Sequence, residues 1–405
     1  MPAWLFALLA AGFVLYTDDY VIAGILPELA ADLGVSESHA GQLITAFSLT
    51  VGIVAPLAAV VLAKIPRRQL FTVGLCLFIL ANGLAVIVPS YPLLLVLRVI
   101  AAVAAAGMTP AVFAFAAERA PAYKTGRYIA IVSLGVTGSI AAGVPIGTWI
   151  GGHLGWRASF ATMAVAGLIV LLALLSTLPR EDGEREVPLL QDQLRTLSAG
   201  PISFGLLANC ALMTGSMMML TYLAPYLDST SSAGVDERAL AFSLSGIAGI
   251  LGIWLGGIAT DRWGADRTLS VGIGGIIVTM VILWLLWMAR PAPIPVVICV
   301  VTVWGGLAFW NSPAIQARLY MLAGPVAPQA LALNTSGTYL GVSIGAAVGG
   351  IALTIGGAGA LPLTAASFGL IALILIAMAR YLAVTVTGHP QDIPNSCQQP
   401  DGWAS

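Results

Sequence analysis

The sequence predicts an all-α integral membrane protein with twelve transmembrane helices in two six-helix pseudo-repeats. Three observations predict it. Hydrophobic residues make up 59% of the chain and charged residues 9%, against about 25% charged in a soluble domain. Apolar stretches recur twelve times, each long enough to cross about 30 Å of hydrocarbon as a helix. Six of them precede one long charged connection and six follow it, and the two sets match at a fixed offset.

The stretches fall near 4–26, 39–62, 69–88, 92–117, 127–152 and 157–179, then near 200–227, 239–260, 268–289, 294–317, 328–357 and 361–385. The connection 180–199 opens Arg180-Glu181-Asp182-Gly183-Glu184-Arg185-Glu186, so six-helix units are expected at 1–179 and 200–385. The tail 386–405 is polar, rich in Pro, Gln and Asn, and is expected to be disordered. Met1-Pro2-Ala3-Trp4 lacks the basic region of a removable signal peptide.

An offset of 198 relates the halves: Pro27 to Pro225, Ala63-Lys64 to Asp261-Arg262, and Gly143-Val144-Pro145-Ile146-Gly147 to Gly341-Val342-Ser343-Ile344-Gly345. Two such bundles, face to face around a central path, are the architecture of transporters that rock one half against the other.

Basic residues set the orientation. Lys64, Arg67, Arg68, Arg119, Lys124, Arg127, Arg180, Arg185, Arg195, Arg262, Arg267, Arg318 and Arg380 fall on one side, and only Arg157, Arg238 and Arg290 on the other. By the positive-inside rule both termini and the connection face the cytoplasm. The net charge of -1 gives no reason to expect a nucleic-acid partner. No Gly-x-x-x-x-Gly-Lys-Ser/Thr loop is present, which excludes the usual ATP-driven pump. His39, His153 and His389 are far apart, and Cys76, Cys210, Cys299 and Cys397 lack metal-ligand spacing. Neither an enzyme nor a metal or cofactor is expected.

The chemistry concentrates in the first stretch, at Tyr16-Thr17-Asp18-Asp19-Tyr20. A charge at the centre of a hydrocarbon layer costs at least about 2.5 kcal/mol and is rare without a role. Arg98, in the fourth stretch, is the embedded cation. Asp19 lies eight residues before Pro27, about 12 Å from the end of its span, and Arg98 six after Pro92, about 9 Å from the same side. Asp19 and Arg98 therefore lie at similar depth, and a pair or a shared water network is in reach if their helices adjoin. Arginine keeps its proton, so the aspartate is the group that titrates. The alternative is a static ion pair. Asp18, about 100° round the helix, is expected to face a neighbouring helix or to titrate as a second site. Glu28, after Pro27, is expected to be solvated.

Gly257-x-x-x-Asp261-Arg262-x-Gly264-x-x-Arg267 links the eighth and ninth stretches, whereas the first-half counterpart has Ala59, Ala63 and Pro66 before Arg67 and Arg68. The fifth stretch carries Gly135, Gly138, Gly143, Pro145, Gly147, Gly151 and Gly152. With twelve spans in a six-plus-six repeat, these motifs resemble the major facilitator superfamily, and within it the twelve-helix drug:proton antiporters, including bacterial chloramphenicol and sugar efflux proteins. Related sequences also carry a Thr-x-acid-aromatic pattern, matched by Thr17-Asp18-Asp19-Tyr20, which favours Asp19 as the proton carrier. Arg98 matches the superfamily's embedded arginine, and helices one and four line its central path, so the resemblance implies that Asp19 and Arg98 pair or share a water network. The resemblance implies a gating latch at Asp261, Arg262, Gly257, Gly264 and Arg267 with Arg67 and Arg68; positive-inside loop charge alone is the plainer reading. It implies a kinked, leak-preventing antiporter helix at Gly143, Pro145 and Gly147, where ordinary small-residue packing is the alternative.

The implied activity is proton-coupled efflux of a small lipophilic or amphipathic drug or secreted metabolite, by a monomer in the bacterial cytoplasmic membrane. Sugar efflux or a non-transporting receptor are the other readings. Candidate substrate contacts are Tyr16, Tyr20, Phe47, Met108 and Phe113 in the first half. In the second they are Met217, which replaces Asp19 in the repeat, with Tyr222, Trp310, Asn311, Asn334 and Tyr339. Methionines and aromatics make an adaptable apolar pocket, though at helical spacing they are more often packing or lipid-facing.

Overall fold

The computed structural model describes residues 1–62, 64–121, 124–179, 200–323 and 327–387. The expected connection 180–199 and most of the expected tail lie outside these residues, as does Ala63; the last helix runs on to Thr387. Among the described residues there is no strand, and twelve helices are long and apolar enough to cross a membrane.

The first half comprises α1 (Ala3–Leu33), α2 (Glu37–Val61), α3 (Arg67–Ala85), α4 (Tyr91–Glu118), α5 (Thr125–Gly138), a π turn (Ser139–Gly143), α6 (Val144–Leu154) and α7 (Trp156–Thr177). The second comprises α8 (Gly200–Thr221), α9 (Leu223–Ser231), α10 (Val235–Trp263), α11 (Ala265–Met288), α12 (Ile294–Ala323), α13 (Ala327–Gly356) and α14 (Ala360–Thr387). Both ends of this even-numbered bundle lie on one face, the terminal face; the opposite face is the distal face.

Local chemistry sets the turns. Gly34, at φ 64°, closes α1 by donating its N–H to Ala30 and Ala31. Ser36 then caps α2, its Oγ accepting from the His39 N–H at 3.1 Å. Gly264, the second glycine of the loop motif, sits between α10 and α11 at φ 79°, which a side chain rarely adopts. Its first-half counterpart is Pro66 at φ -55°, so the two loops turn differently despite the repeat.

Two expected spans are broken, each near a proline. In the fifth, Pro145 has no N–H to give to the Ala141 carbonyl four residues earlier. The chain widens into the π turn, and that carbonyl accepts instead from Ser243 Oγ of α10 at 3.1 Å. In the seventh, Pro225 likewise gives nothing to Thr221, and the helix divides at Tyr222.

The halves meet along two seams. In one, α2 lies on α13: Ser38 Oγ donates to Gly350 O at 2.8 Å and Ser343 Oγ to Thr45 O at 3.1 Å. In the other, the π turn and α6 lie on α10, where a side chain on Gly246 would strike the Ile140–Ala141 main chain. On their other side Gly143, Gly147 and Gly151 receive Thr17, Val21 and Ile25 of α1, one contact per turn. The glycine-rich span is thus clamped between α1 and the second half.

Candidate functional site: a buried acid pair between the halves

Asp18 and Asp19 stand on the deeply enclosed face of α1, 0% and 1% exposed. Arg98 of α4, 1% exposed, donates through Nη1 to Asp18 Oδ2 at 2.7 Å and through Nη2 to the Asp18 carbonyl at 3.0 Å. The expected partnership is therefore corrected: Arg98 pairs with Asp18, not with Asp19. One residue of advance turns the side chain about 100°, and the packing of α1 on α4 decides which acid points at the arginine.

The ion pair is held from three sides. The Arg98 guanidinium lies over the Phe47 ring, 4.3 Å from its centroid, and 5.9 Å from that of Phe160. A cation over an aromatic face is stabilised by the ring quadrupole, more so when desolvated. Asn82 of α3 borders Asp18, its amide donating to the Phe78 carbonyl at 3.1 Å. Phe47 was expected to touch substrate; here it supports Arg98. Asn82 and Phe160 were missed, although a lone asparagine in the apolar third span was a signal.

Asp19 is different. Among the described residues, neither carboxylate oxygen has a hydrogen-bond partner. Tyr339 of α13 belongs to the same buried cluster as Leu15 and Phe47, and Tyr16 of α1 packs against it. A buried carboxylate without donors is costly while ionised. The arrangement thus offers one matched acid and one open acid side by side.

At the distal end Glu28 is ion-paired with Arg238 of α10, a cross-half contact, and so is not the solvated rim acid expected. Nearby, Asp32 accepts from Trp156 Nε1 at 3.0 Å and Arg157 Nη1 at 2.5 Å, tying α1 to α7. On the terminal face Asp261 is exposed, and no ion pair reaches it among the described residues. The acid that latches helices there is Asp266, which accepts from Arg318 Nε of α12 at 2.8 Å and faces Arg380 of α14 at 3.4 Å. Arg262 is exposed, Arg267 lies beside the Trp263 ring, and little crowds Gly257. Arg67 donates to Glu118 at 3.2 Å and Arg68 to the Leu175 carbonyl at 3.0 Å, so both bind helices of their own half.

Several expected substrate contacts turn out to be packing. Met108 fills the space beside Gly74 of α3. The Tyr222 hydroxyl donates to the Ala346 carbonyl at 2.7 Å, sealing α9 to α13 beside Gly41. Trp310 Nε1 donates to the Thr268 carbonyl at 3.1 Å and Asn311 packs on Gly272, joining α12 to α11. Their helices are apolar on all sides, so sequence does not distinguish path from packing. The Tyr16 and Tyr20 rings lie 6.3 Å apart between centroids, Tyr339 is buried in the first-half cluster, Phe113 and Asn334 are half-buried, and Met217 is buried.

Comparisons with known proteins agree with this architecture. The profile described as Major Facilitator Superfamily matches residues 8–327. An uncharacterized MFS-type transporter, YbcL, of Bacillus subtilis (strain 168) is 33% identical over 86% of this chain and 88% of its own. A chloramphenicol resistance protein of Streptomyces lividans is 30% identical over 97% of this chain and 99% of its own. Among solved structures, a D-xylose-proton symporter superposes with TM-score 0.76 at 17% identity, covering 92% of this chain and 96% of that one. A bacterial homologue of the human lysosomal transporter Spinster, inward-facing and unoccupied, superposes with TM-score 0.74 at 16% identity, covering 95% and 97%. Twelve spans, two matching halves and a profile match over most of its length establish the chain as a transporter belonging to the Major Facilitator Superfamily.

Proposed function

We propose that this transporter exports a small lipophilic or amphipathic drug or secreted metabolite in exchange for protons. It acts as a monomer in the bacterial cytoplasmic membrane with both termini inside, its bundles 1–179 and 200–385 rocking about the buried acids. The observation that carries this reading is Asp19: an embedded carboxylate without a hydrogen-bond partner among the described residues, next in sequence to the Asp18 that already matches the charge of Arg98. Such a group can gain and lose a proton without dismantling the ion pair. The named relative, a chloramphenicol resistance protein, supports a lipophilic cargo. The aromatic hydroxyls and Met217 near mid-span suit a ligand of irregular shape.

A polar cargo is the second reading, favoured by the buried, unbonded Oδ1 of Asn334. One assay separates them. Purified protein in sealed liposomes with an entrapped pH dye receives an imposed proton gradient, then chloramphenicol, other lipophilic drugs or sugars. Proton movement with lipophilic compounds, absent in Asp19→Asn, is expected. Undiminished exchange in Asp19→Asn overturns the assignment of the proton to Asp19, and a response to sugars alone selects the second reading.

A further inference from the structure

A cavity lies inside the second half, between α8, α11, α12 and α14. Its walls are mostly apolar, among them Leu212, Leu269, Ile315 and Ile376, and its polar lining is Asn209 of α8 and Arg318 of α12. It holds about 10 Å³, room for one water-sized guest. Arg318 stands five residues before the end of α12, about 7–8 Å in from the terminal face. It is 6% exposed. Its Nε donates to Asp266 Oδ1 at 2.8 Å, while Nη1 is buried without a hydrogen-bond partner among the described residues. Gly205 leaves open the space beside that nitrogen: a Cβ there would come within 3.0 Å of Nη1. An unmatched donor on a buried cation is costly, and apolar walls do nothing to relieve it. The charge balance points the same way. Asp266 faces both Arg318 and Arg380, so one carboxylate answers two guanidinium groups. Asn209 Nδ2 donates to Thr338 Oγ1 at 2.9 Å, which leaves its second N–H for a guest.

We propose that this cavity is a binding site for a small monatomic anion such as chloride, held by Arg318 Nη1 and the Asn209 amide. The volume admits one compact guest and is too small for a phosphate or a lipid headgroup. A water molecule would accept from Nη1 but would leave the surplus positive charge unanswered, whereas a halide supplies both the acceptor and the charge. Seated there, the anion ties α12 to α8 at the terminal end of the bundle. Asp266 already ties α12 to α11 and, through Arg380, to α14. The site is independent of the cargo and of Asp19.

The test needs no substrate. The purified full chain in detergent is melted at constant ionic strength while chloride replaces gluconate, an anion too large for the cavity. The melting temperature is expected to rise by about 2–4 °C and to saturate. Gly205→Ala fills the space beside Nη1 and keeps the Asp266 pair, so it is expected to lose that rise. Equal rises in the two proteins mark a general ion effect and overturn the site, as does no rise in the unmodified chain. Crystals of the full chain grown in bromide read the site directly. An anomalous peak beside Arg318 Nη1 is expected; no peak there, or a water molecule alone, overturns the proposal whatever Gly205→Ala does.

Discussion

Arg98 grips Asp18 twice, at the carboxylate and at the main-chain carbonyl, with the two contacts at 2.7 and 3.0 Å. The second bond fixes the guanidinium to the helix backbone, so Arg98 does not swing to Asp19 without giving up both. The neighbouring acids are thereby separated in role: Asp18 completes a structural charge pair, and Asp19 is left open.

That separation predicts opposite costs for similar substitutions. Asp18→Asn leaves the buried Arg98 charge without its bonded counter-charge and is expected to cost about 3–5 kcal/mol. Asp19→Asn removes no bonded partner and is expected to be neutral or stabilising while abolishing proton-coupled exchange. Thermal unfolding in detergent beside liposome exchange assays checks both; equal destabilisation by the two substitutions contradicts the division.

The aromatic support of Arg98 can be tested separately. Phe47→Leu keeps an apolar side chain but removes the ring under the guanidinium. A loss of about 1–2 kcal/mol is expected beyond the packing change. A double-mutant cycle with Arg98→Met isolates it, and a coupling energy near zero counts against the contact.

At the distal end Arg238→Gln breaks the ion pair with Glu28 that joins α1 to α10. The expected result is a larger population open at that end. A cysteine at Val235, which packs on Gly152 across the seam, should then react several-fold faster with an impermeant maleimide. The measurement uses protein freed of its four native cysteines. Unaltered labelling means that the pair does not hold the seam.

On the terminal face Asp266→Asn frees two arginines, one of them with a side chain only 8% exposed. A cost of about 1–3 kcal/mol is expected. Asp261→Asn, at an exposed position without an ion pair among the described residues, should stay within about 0.5 kcal/mol. Chemical or thermal unfolding ranks them, and the reverse order would restore Asp261 as the structural acid of this loop.

The span count, the acids and the embedded arginine were legible in the chain because each is a matter of composition along one dimension. Apolar length decides whether a helix crosses a membrane, and a charge inside such a length is conspicuous. The broken fifth span was legible too, since Gly143, Pro145 and Gly147 weaken a helix wherever it packs. Side-chain direction was not legible. A membrane helix is apolar toward lipid and toward its neighbours alike, so periodicity does not reveal that Met108, Trp310 and Asn311 pack within their own halves or that Tyr222 seals a seam.

Twelve crossings, a repeat of one half in the other, and two acids and one arginine at similar depth are all written along the chain. Only three-dimensional packing makes Asp18 the partner of the arginine, brings Glu28 to Arg238 across 210 residues of chain, and puts Tyr339 of the second half into the first half's buried cluster. The physical reason is that depth accumulates by a fixed rise per residue, whereas facing depends on helix rotation, and rotation is set by what packs against the helix.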